Sequence, residues 1–423
     1  MIFCGRSWLL ERRIATGLPA VHLMLTIEEA LKLVVDNACA LKPRQVPLSE
    51  AAGLILADDV TSEVNSPPYD KALMDGYAVR SADRQLERRV LEEIAAGDVP
   101  RLALTPGTAS RIMTGAPIPE GADAVVQVEA TTMVDASTVR LQSADVPRGK
   151  NMLPLGTSLR VGDAVLKQGT LLRPIEIAVL AEIGRGMVAA VPPPKVAVLP
   201  TGNELVPVGG RPAAGQILNS NGPMLLASAS RAQADSVELG IARDTPEDLA
   251  RWISQGLTAD ILVLSGGVSA GKFDLVPQVL SDLGVEQVFH KIALRPGKPL
   301  WFGVKPGDHP TLVFALPGNP VSSLVCFELF VRPAIEILAG RGFQQWPTIE
   351  ARVLHSYDHS GARAACLPAR IGGAPPHEPP SAEILAWHGS ADMATLTRAN
   401  ALALFPVEAQ RLQPGDALRV IPL

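Results

Sequence analysis

The sequence predicts a multidomain protein of the α/β plus β class, and three observations carry this prediction. The chain has 423 residues, more than one hydrophobic core normally holds. Apolar runs typical of strands alternate with helical patterns over residues 195–339, which indicates a doubly wound, mostly parallel sheet. Short β-branched runs separated by Pro/Gly turns fill residues 90–165 and resume after residue 340, which indicates two further β-rich domains.

Two helices are predicted outside the α/β alternation. The first starts at Ile27 and runs to about residue 40, with Thr26 as its N-cap and Glu29 completing a capping box. The second has a proline, Pro174, at its first position. We expect these two helices to pack together in an elongated domain.

Changes of pattern along the chain place the domain boundaries. Pro192–Pro194 form a stiff linker in front of the α/β alternation, which stops near Gly340. The helix start that follows Met24 suggests that this methionine is the natural first residue. The predicted parts are an N-terminal extension outside the fold (1–23), an elongated helical/β domain (24–60 with 160–191), an inserted small β-rich domain (61–159), an α/β domain (192–340) and a C-terminal β domain (341–423).

Composition excludes several function classes. The chain has 38 basic and 43 acidic residues, a net charge of −5, which provides no electrostatic footprint for nucleic acid or an anionic membrane. The 4 cysteines are scattered, so neither a zinc site nor a disulfide framework is indicated. The apolar segment 171–191 is interrupted by charged residues, and the N-terminal apolar run is too short for a signal peptide. We therefore expect a cytoplasmic protein.

Three loops follow strands of the predicted parallel sheet. Ligands of open α/β sheets bind outside the carboxyl ends of the strands. Glycine backbones and the start of a helix offer amide donors, so we expect an anion site built from bare amides, with Ser322 and Ser323 at the helix start. The loop residues predicted to bind the ligand are Thr201, Gly266, Gly267, Ser269, Pro317, Gly318, Asn319 and Ser322.

Charged residues near these loops suggest a metal and a second anion contact. Glu204 and Asp274 supply carboxylate oxygens of the kind that Mg²⁺ shares with phosphates. Asp244 is either a residue that starts a helix or a metal ligand. Arg295 and Lys298 flank a rigid Pro-Gly turn and are either solvated surface cations or an oxyanion clamp.

A further carboxylate, Asp75, lies between Met74 and Gly76 in an apolar run. Composition alone favours a turn aspartate there.

Six short motifs, in order over residues 24–423, closely resemble the molybdopterin molybdenumtransferase family of the MoeA and gephyrin E-domain type. The motifs are Met74–Ala78, Met113–Ala116, Pro200–Leu205, Ser265–Ser269, Pro296–Pro299 and Leu316–Ser322. The resemblance implies a four-domain, L-shaped homodimer with a MogA-like α/β domain and a barrel-like C-terminal domain. It also implies an enzyme that takes adenylated molybdopterin and molybdate as substrates, hydrolyses the phosphoanhydride with Mg²⁺ and releases AMP and molybdenum cofactor.

The resemblance also assigns roles to residues. It places Asp75 and Thr114 in the crevice of the partner subunit, and makes Asp274, Glu204 and Asp75 the catalytic candidates. The implied metal ligands are Glu204, Asp244 and Asp274. Besides the loop residues above, the implied substrate-binding residues are Thr114, Arg295, Lys298, Arg370 and Ser390.

The sequence departs from the family pattern at three places, and two other functions compete. Arg295 replaces the usual lysine, the segment 153–158 lacks an arginine and an acid, and Leu275 replaces an aromatic residue. The alternatives are a non-catalytic pterin- or nucleotide-binding scaffold of the same fold, and a different pterin or nucleotide enzyme such as an adenylyltransferase. Expected partners are a molybdopterin adenylyltransferase and proteins that mature molybdoenzymes.

Overall fold

The structure is a computed structural model that describes residues 24–268, 275–359, 363–373, 378–405 and 411–423. The chain divides into two compact units. One unit is Arg44–Ala190, and the other comprises Val191–Leu423 with the segment that ends at Pro43. The finer division into domains predicted from the sequence, including the extension 1–23, stays a prediction.

The unit Arg44–Ala190 contains two sheets of three or more strands. The strands are β1 Arg44–Pro47, β2 Ile55–Leu56, β3 Val60–Thr61, β4 Lys71–Ala72, β5 Gly76–Val79, β6 Glu87–Ile94, β7 Thr108–Ile112, β8 Ala124–Gln127, β9 Thr131–Asp135, β10 Thr138–Leu141, β11 Met152–Leu153, β12 Ala164–Leu166 and β13 Met187–Val191, and the helix is α2 Pro174–Glu182. The order in the larger sheet is β8-β5-β7-β6-β10-β9, with apolar side chains packed on both of its faces. Strands β1, β13 and β2 form the other sheet, which packs against helix α2.

The first helix, α1, extends over Ile27–Asn37 and has the predicted capping box of Thr26 and Glu29. The prediction that it packs with α2 is wrong. Its buried residues Ile27, Ala30 and Val34 belong to the core of the other unit, next to Ile335 and Leu338. The periodicity of these residues defines the apolar face of the helix but not the surface that this face covers.

The second unit contains the α/β sheet and a barrel. Its helices are α3 Asn221–Arg231, α4 Pro246–Gly256, α5 Val276–Asp282, α6 Pro320–Cys326, α7 Arg332–Leu338 and α8 Met393–Leu396. Its strands are β14 Lys195–Pro200, β15 Leu205–Val206, β16 Ile217–Leu218, β17 Asp235–Glu238, β18 Ile261–Ser265, β19 Glu286–His290, β20 Leu294–Arg295, β21 Trp301–Lys305, β22 Thr311–Leu316, β23 Ile349–Val353, β24 Tyr357–Asp358, β25 Ala364–Ile371, β26 Ser381–Ile384, β27 Ala401–Phe405, β28 Arg411–Leu412 and β29 Ala417–Pro422.

The predicted mostly parallel sheet is confirmed. Its order is β17-β14-β18-β22-β21-β19, in which β17, β14, β18 and β22 pair in parallel, while β21 pairs antiparallel with both β22 and β19. Alternate residues of β14 point to opposite faces, as the strand period requires. Val196 and Val198 pack with α3, whereas Ala197 and Leu199 pack with α4 and α5. Both faces are therefore covered by helices.

The helical segment that follows β22 is not one regular helix. A π-helical turn, Phe327–Val331, separates α6 from α7. Pro333 lies at the start of α7 and lacks the N–H that a regular ladder would use, which accounts for the local change in hydrogen bonding. The turn carries Glu328, which is buried and forms ion pairs with Arg231 and Arg332.

The C-terminal strands close into a barrel, which confirms the expected barrel-like domain. Strands β25, β26, β23, β29 and β27 pair in this order, and β27 pairs back with β25. Alanines such as Ala351, Ala369 and Ala403 fill much of its core, which suits a barrel of small diameter. Strand β20 of the α/β region pairs with β25. Among the described helices, none is both long and apolar enough to cross a bilayer.

Candidate functional site

The three predicted loops meet in one cleft of about 950 Å³ in the second unit. The parallel register brings Pro200, Ser265 and Leu316 side by side at the ends of β14, β18 and β22, so the loops leave the sheet at the same edge. The predicted site residues that line this cleft are Thr201, Glu204, Asp244, Gly266, Gly267, Arg295, Lys298, Pro317, Gly318, Asn319, Ser322 and Ser390. Ser269 and Asp274 lie outside the described residues.

At Gly266 the glycine loop is shaped by close packing rather than by a free amide. The N–H of Gly266 donates to the carbonyl of Leu316 at 3.1 Å, so it does not point at a ligand. Gly266 has φ of +107°, and a Cβ there would lie 2.4 Å from the carbonyl oxygen of Thr201. The glycine is therefore needed for a close approach between two loops. The expectation of bare amides is wrong at this position.

The loop before α6 is likewise bonded internally. The N–H of Val321 donates to the carbonyl of Ser390 at 3.0 Å, and Asn319 Nδ2 donates to Ser390 Oγ at 2.8 Å. Ser323 is fully buried, and its hydroxyl donates to the carbonyl of Pro317. Ser323 and the Val321 amide are therefore not available to an anion, whereas Ser322 lines the cleft and stays a predicted contact.

Cations line the cleft on the side of the barrel. Arg295 and Lys298 are exposed and flank a turn that contains a cis peptide bond before Pro296. Arg363 joins them, and its Nη1 donates to the carbonyl of Leu294 at 3.3 Å. Arg370 instead lies in β25 opposite Glu383 of β26. The geometry therefore favours Arg363 over Arg370 as the cleft arginine of this segment.

Two carboxylates, Glu204 and Asp244, line the same cleft. Thr245 is the N-cap of α4 and accepts from the N–H of Asp248, so Asp244 does not cap the helix. The Asp244 N–H donates to Asn203 Oδ1 at 3.1 Å, and Asp244 Oδ2 accepts from the Asn203 N–H at 3.3 Å. Asp244 thus joins its loop to the loop that carries Glu204. Within the described ranges, no group of three or more His, Cys, Asp or Glu side chains is placed to hold a metal ion.

Asp75 and Thr114 form a pair in the unit Arg44–Ala190. The hydroxyl and the backbone N–H of Thr114 both donate to Asp75 Oδ1 at 2.7 Å. These two hydrogen bonds, with a smaller effect of the Arg111 charge, lower the pKa of Asp75 below its ordinary value. The carboxylate precedes β5, where a Cβ on Gly76 would lie 2.0 Å from the carbonyl oxygen of Val126. Asp75 is exposed, and the two hydrogen bonds from Thr114 keep its carboxylate ionised and hold it in one orientation.

Sequence reasoning missed several residues of the cleft. Asn221 starts α3 and lines the cleft, and the Asn219–Asn221 run after β16 was the available signal. Trp387 and Arg363 reach the cleft from the barrel region, for which no local pattern gave a signal. Apolar side chains of Ile217 and Leu218 cover another part of its wall.

Comparison with known proteins agrees with this architecture. Residues 25–184 match the family described as the MoeA N-terminal region (domain I and II), and residues 197–337 match the family described as a probable molybdopterin binding domain. Molybdopterin molybdenumtransferase 2 of Mycobacterium tuberculosis is 34% identical over 417 residues, which are 94% of this chain and 99% of that protein.

One further relative and one solved structure agree with these matches. Molybdopterin molybdenumtransferase of Staphylococcus aureus is 36% identical over 328 residues, which are 75% of this chain and 76% of that protein. A crystal structure of a molybdopterin biosynthesis MoeA protein from Pyrococcus horikoshii is 31% identical with a TM-score of 0.78, and the match covers 94% of this chain and 99% of that one. The chain therefore belongs to the MoeA family of molybdopterin molybdenumtransferases.

Proposed function

We propose that this protein inserts molybdate into adenylated molybdopterin and releases AMP and molybdenum cofactor. The observation that supports this best is the cleft at the ends of β14, β18 and β22, where side-chain cations and carboxylates meet. The cleft lies largely within the region similar to a molybdopterin binding domain, and the curated relatives carry the name of this activity.

The cations are suited to the phosphates of the substrate. Arg295, Lys298 and Arg363 line one side of the cleft, and Arg295 is attached to the rigid pairing of β20 with β25. A hydrogen bond to a charged oxygen contributes roughly 1.5–3 kcal/mol, so three cations can hold a pyrophosphate on a protein whose net charge is negative. They would also stabilise the negative charge that develops on the departing AMP.

We propose Mg²⁺ as the metal. Glu204 and Asp244 offer carboxylate oxygens in the same cleft as the cations, and Mg²⁺ commonly combines one or two carboxylates with water and substrate phosphates. Asp274, outside the described residues, would be the third ligand. When bound, the ion would supply positive charge at the phosphoanhydride.

In this reaction the oxygen of a water molecule attacks a phosphorus atom of the phosphoanhydride, and AMP leaves with its own phosphate. Glu204 is exposed in the cleft, so its carboxylate can accept the proton of the attacking water. Asp274 is the other candidate for this base. Arg295 and Lys298 would orient the phosphates so that the departing group faces positive charge.

We also propose a homodimer in which Asp75 and Thr114 of one chain complete the cleft of the other. The Thr114 donors fix an ionised Asp75 on the surface of its unit, which suits a carboxylate presented to a partner. Mixing the inactive variants Asp75→Asn and Glu204→Gln tests this arrangement. Mixed dimers would contain one intact site, so activity should return to roughly a quarter of wild type. Mixtures that stay inactive after subunit exchange would contradict a shared site.

The activity itself is tested by adding molybdate and Mg²⁺ to protein loaded with adenylated molybdopterin and measuring AMP. We expect AMP release that depends on molybdate and stops when EDTA removes the metal. Lys298→Ala should lower the rate of AMP release. Lys42 is an exposed lysine of the same unit, and the control variant Lys42→Ala should leave this rate unchanged. Tight binding without AMP release would favour the scaffold, and pyrophosphate release from ATP would favour an adenylyltransferase.

Cellular context follows from the same proposal. An enzyme with this substrate needs an adenylyltransferase to supply it and maturation partners to accept the product. We propose a cytoplasmic location, which agrees with the free thiols of Cys39, Cys326 and Cys366, the cysteines in the described ranges.

A further inference from the structure

One side-chain amide connects two loops of the cleft. Asn221 is the first residue of α3, and its Nδ2 donates to Ser265 Oγ at 2.8 Å and to the carbonyl of Gly318 at 2.7 Å. Ser265 ends β18, and Gly318 lies two residues after the end of β22. A third element, helix α3, therefore holds the ends of two neighbouring strands.

The orientation of this amide is determined by its partners. A flipped amide would place Oδ1 against the carbonyl oxygen of Gly318, where two acceptors would repel each other. In the observed orientation Oδ1 is buried and receives no hydrogen bond from the described residues. A buried acceptor without a donor is destabilising. The two hydrogen bonds that this amide donates are therefore made at some cost in stability.

The loops that Asn221 joins have few other described connections beyond the sheet itself. The sheet pairing ends with Ser265 opposite Leu316, where the Gly266 N–H also donates to the Leu316 carbonyl at 3.1 Å. Past this point Gly266, Gly267 and Gly318 line the cleft and have no side chains that could interlock. The bonds of Asn221 thus tie Gly318, which lies beyond the last paired residue of β22, to the end of β18.

We propose that Asn221 is a positioning residue that holds the loops after β18 and β22 at the spacing required by a phosphate-bearing ligand. The identity of that ligand rests on the proposed function. The clamp, meaning the two hydrogen bonds by which Asn221 joins these loops, does not. Asn221 acts through Ser265 and Gly318, so its loss should widen or loosen the cleft without removing a charged group from it.

The test uses the full-length protein with Asn221→Ala, Asn221→Asp and a matched control, Asn37→Ala. Asn37 also donates from Nδ2 to a backbone carbonyl, that of Leu33 at 2.8 Å, but at the end of α1. For Asn221→Ala we expect a roughly tenfold rise in the Kd for AMP, measured by calorimetry, because two hydrogen bonds are lost. Asn221→Asp should bind more weakly still, because its carboxylate faces the Gly318 carbonyl.

Amide hydrogen exchange separates positioning from general stability. We expect faster exchange at Gly266 in Asn221→Ala, with a thermal midpoint within about 2 °C of wild type. Asn37→Ala should change neither the Kd nor this exchange. If Asn221→Ala unfolds, Ser265→Ala removes one of the two acceptors and should show the same local exchange.

Unchanged exchange and unchanged AMP affinity in Asn221→Ala would overturn the clamp. A fall in thermal midpoint with unchanged AMP affinity would also overturn it, because it would show a structural role only. Absence of molybdate-dependent AMP release from wild type would instead contradict the proposed function, while the exchange result would still decide on the clamp.

Discussion

Replacing Gly266 with alanine should destabilise the α/β region by about 2–6 kcal/mol. With φ of +107° the residue occupies a backbone region that costs side-chain-bearing residues about 1–3 kcal/mol. The new Cβ would lie 2.4 Å from the carbonyl oxygen of Thr201 and 2.9 Å from its Oγ1. Forcing a methyl group into a packed site costs about 1–3 kcal/mol more. The sum of the two terms gives the expected range.

Tryptophan fluorescence during urea unfolding measures this effect selectively. The chain has 5 tryptophans, of which only Trp8 lies outside residues 191–423, so the signal does not come from Arg44–Ala190. Gly209→Ala is the matched control, since Gly209 has φ of +86° and its Cβ would meet no atom within 4 Å. The control should lose only the backbone term, about 1–3 kcal/mol. Equal losses in both variants would refute the argument from close approach.

Three further predictions concern charged groups. Thr114→Val removes a donor to Asp75, so the pKa of that carboxyl should rise and the acid limb of the pH–rate profile should move to higher pH. The Arg173 side chain lowers the pKa of Glu176 from 4.5 to about 2. Glu176→Gln should therefore destabilise α2 above pH 4.5, and the difference from wild type should vanish below about pH 2. Hydrogen exchange of residues 174–182 measures this difference. Glu328→Gln should destabilise the α/β region by about 1.5–3 kcal/mol in the fluorescence assay, because it removes a charged partner of Arg332, whose side chain is 12% exposed and keeps Glu336 as its other partner.

Each of these predictions has a contrary outcome. Thr157→Val, in which the lost hydroxyl donates only to the carbonyl of Pro154, should leave the pH–rate profile unchanged. A profile that moves equally in both threonine variants would contradict the role of Thr114. A Glu176 effect that persists at pH 2 would show that the side chain stabilises α2 by packing. A neutral Glu328→Gln would show that Glu336 alone satisfies Arg332.

The strand and helix order of the α/β region could be predicted because its signals are local and strong. Residues 261–264 form a continuous apolar run shortly before two glycines, and Thr26 with Glu29 forms a capping box within four residues. The position of three loops at one sheet edge followed from parallel topology alone. These features depend on residues that are close in sequence.

The features that escaped prediction depend on residues that are distant in sequence. Asn221 and Gly318 are 97 residues apart, and Asn319 and Ser390 are 71 apart. The ion pair of Glu328 with Arg231 likewise joins two helices through residues that are 97 apart. No local periodicity encodes such pairs, because each partner alone reads as an ordinary surface residue.

The hydrogen bonds of the loops change the physical account of anion binding. The sequence suggested a cradle of backbone amides, but the Gly266 and Val321 amides donate to carbonyls within the protein. An amide that is already paired adds little attraction for a phosphate. Among the described residues, the groups best placed to supply the attraction are the side-chain cations Arg295, Lys298 and Arg363. Attraction between a charged ligand and exposed cations is screened by salt, so ligand affinity should fall as ionic strength rises. The paired amides and the hydrogen bonds of Asn221 join the loops of the cleft that these cations line.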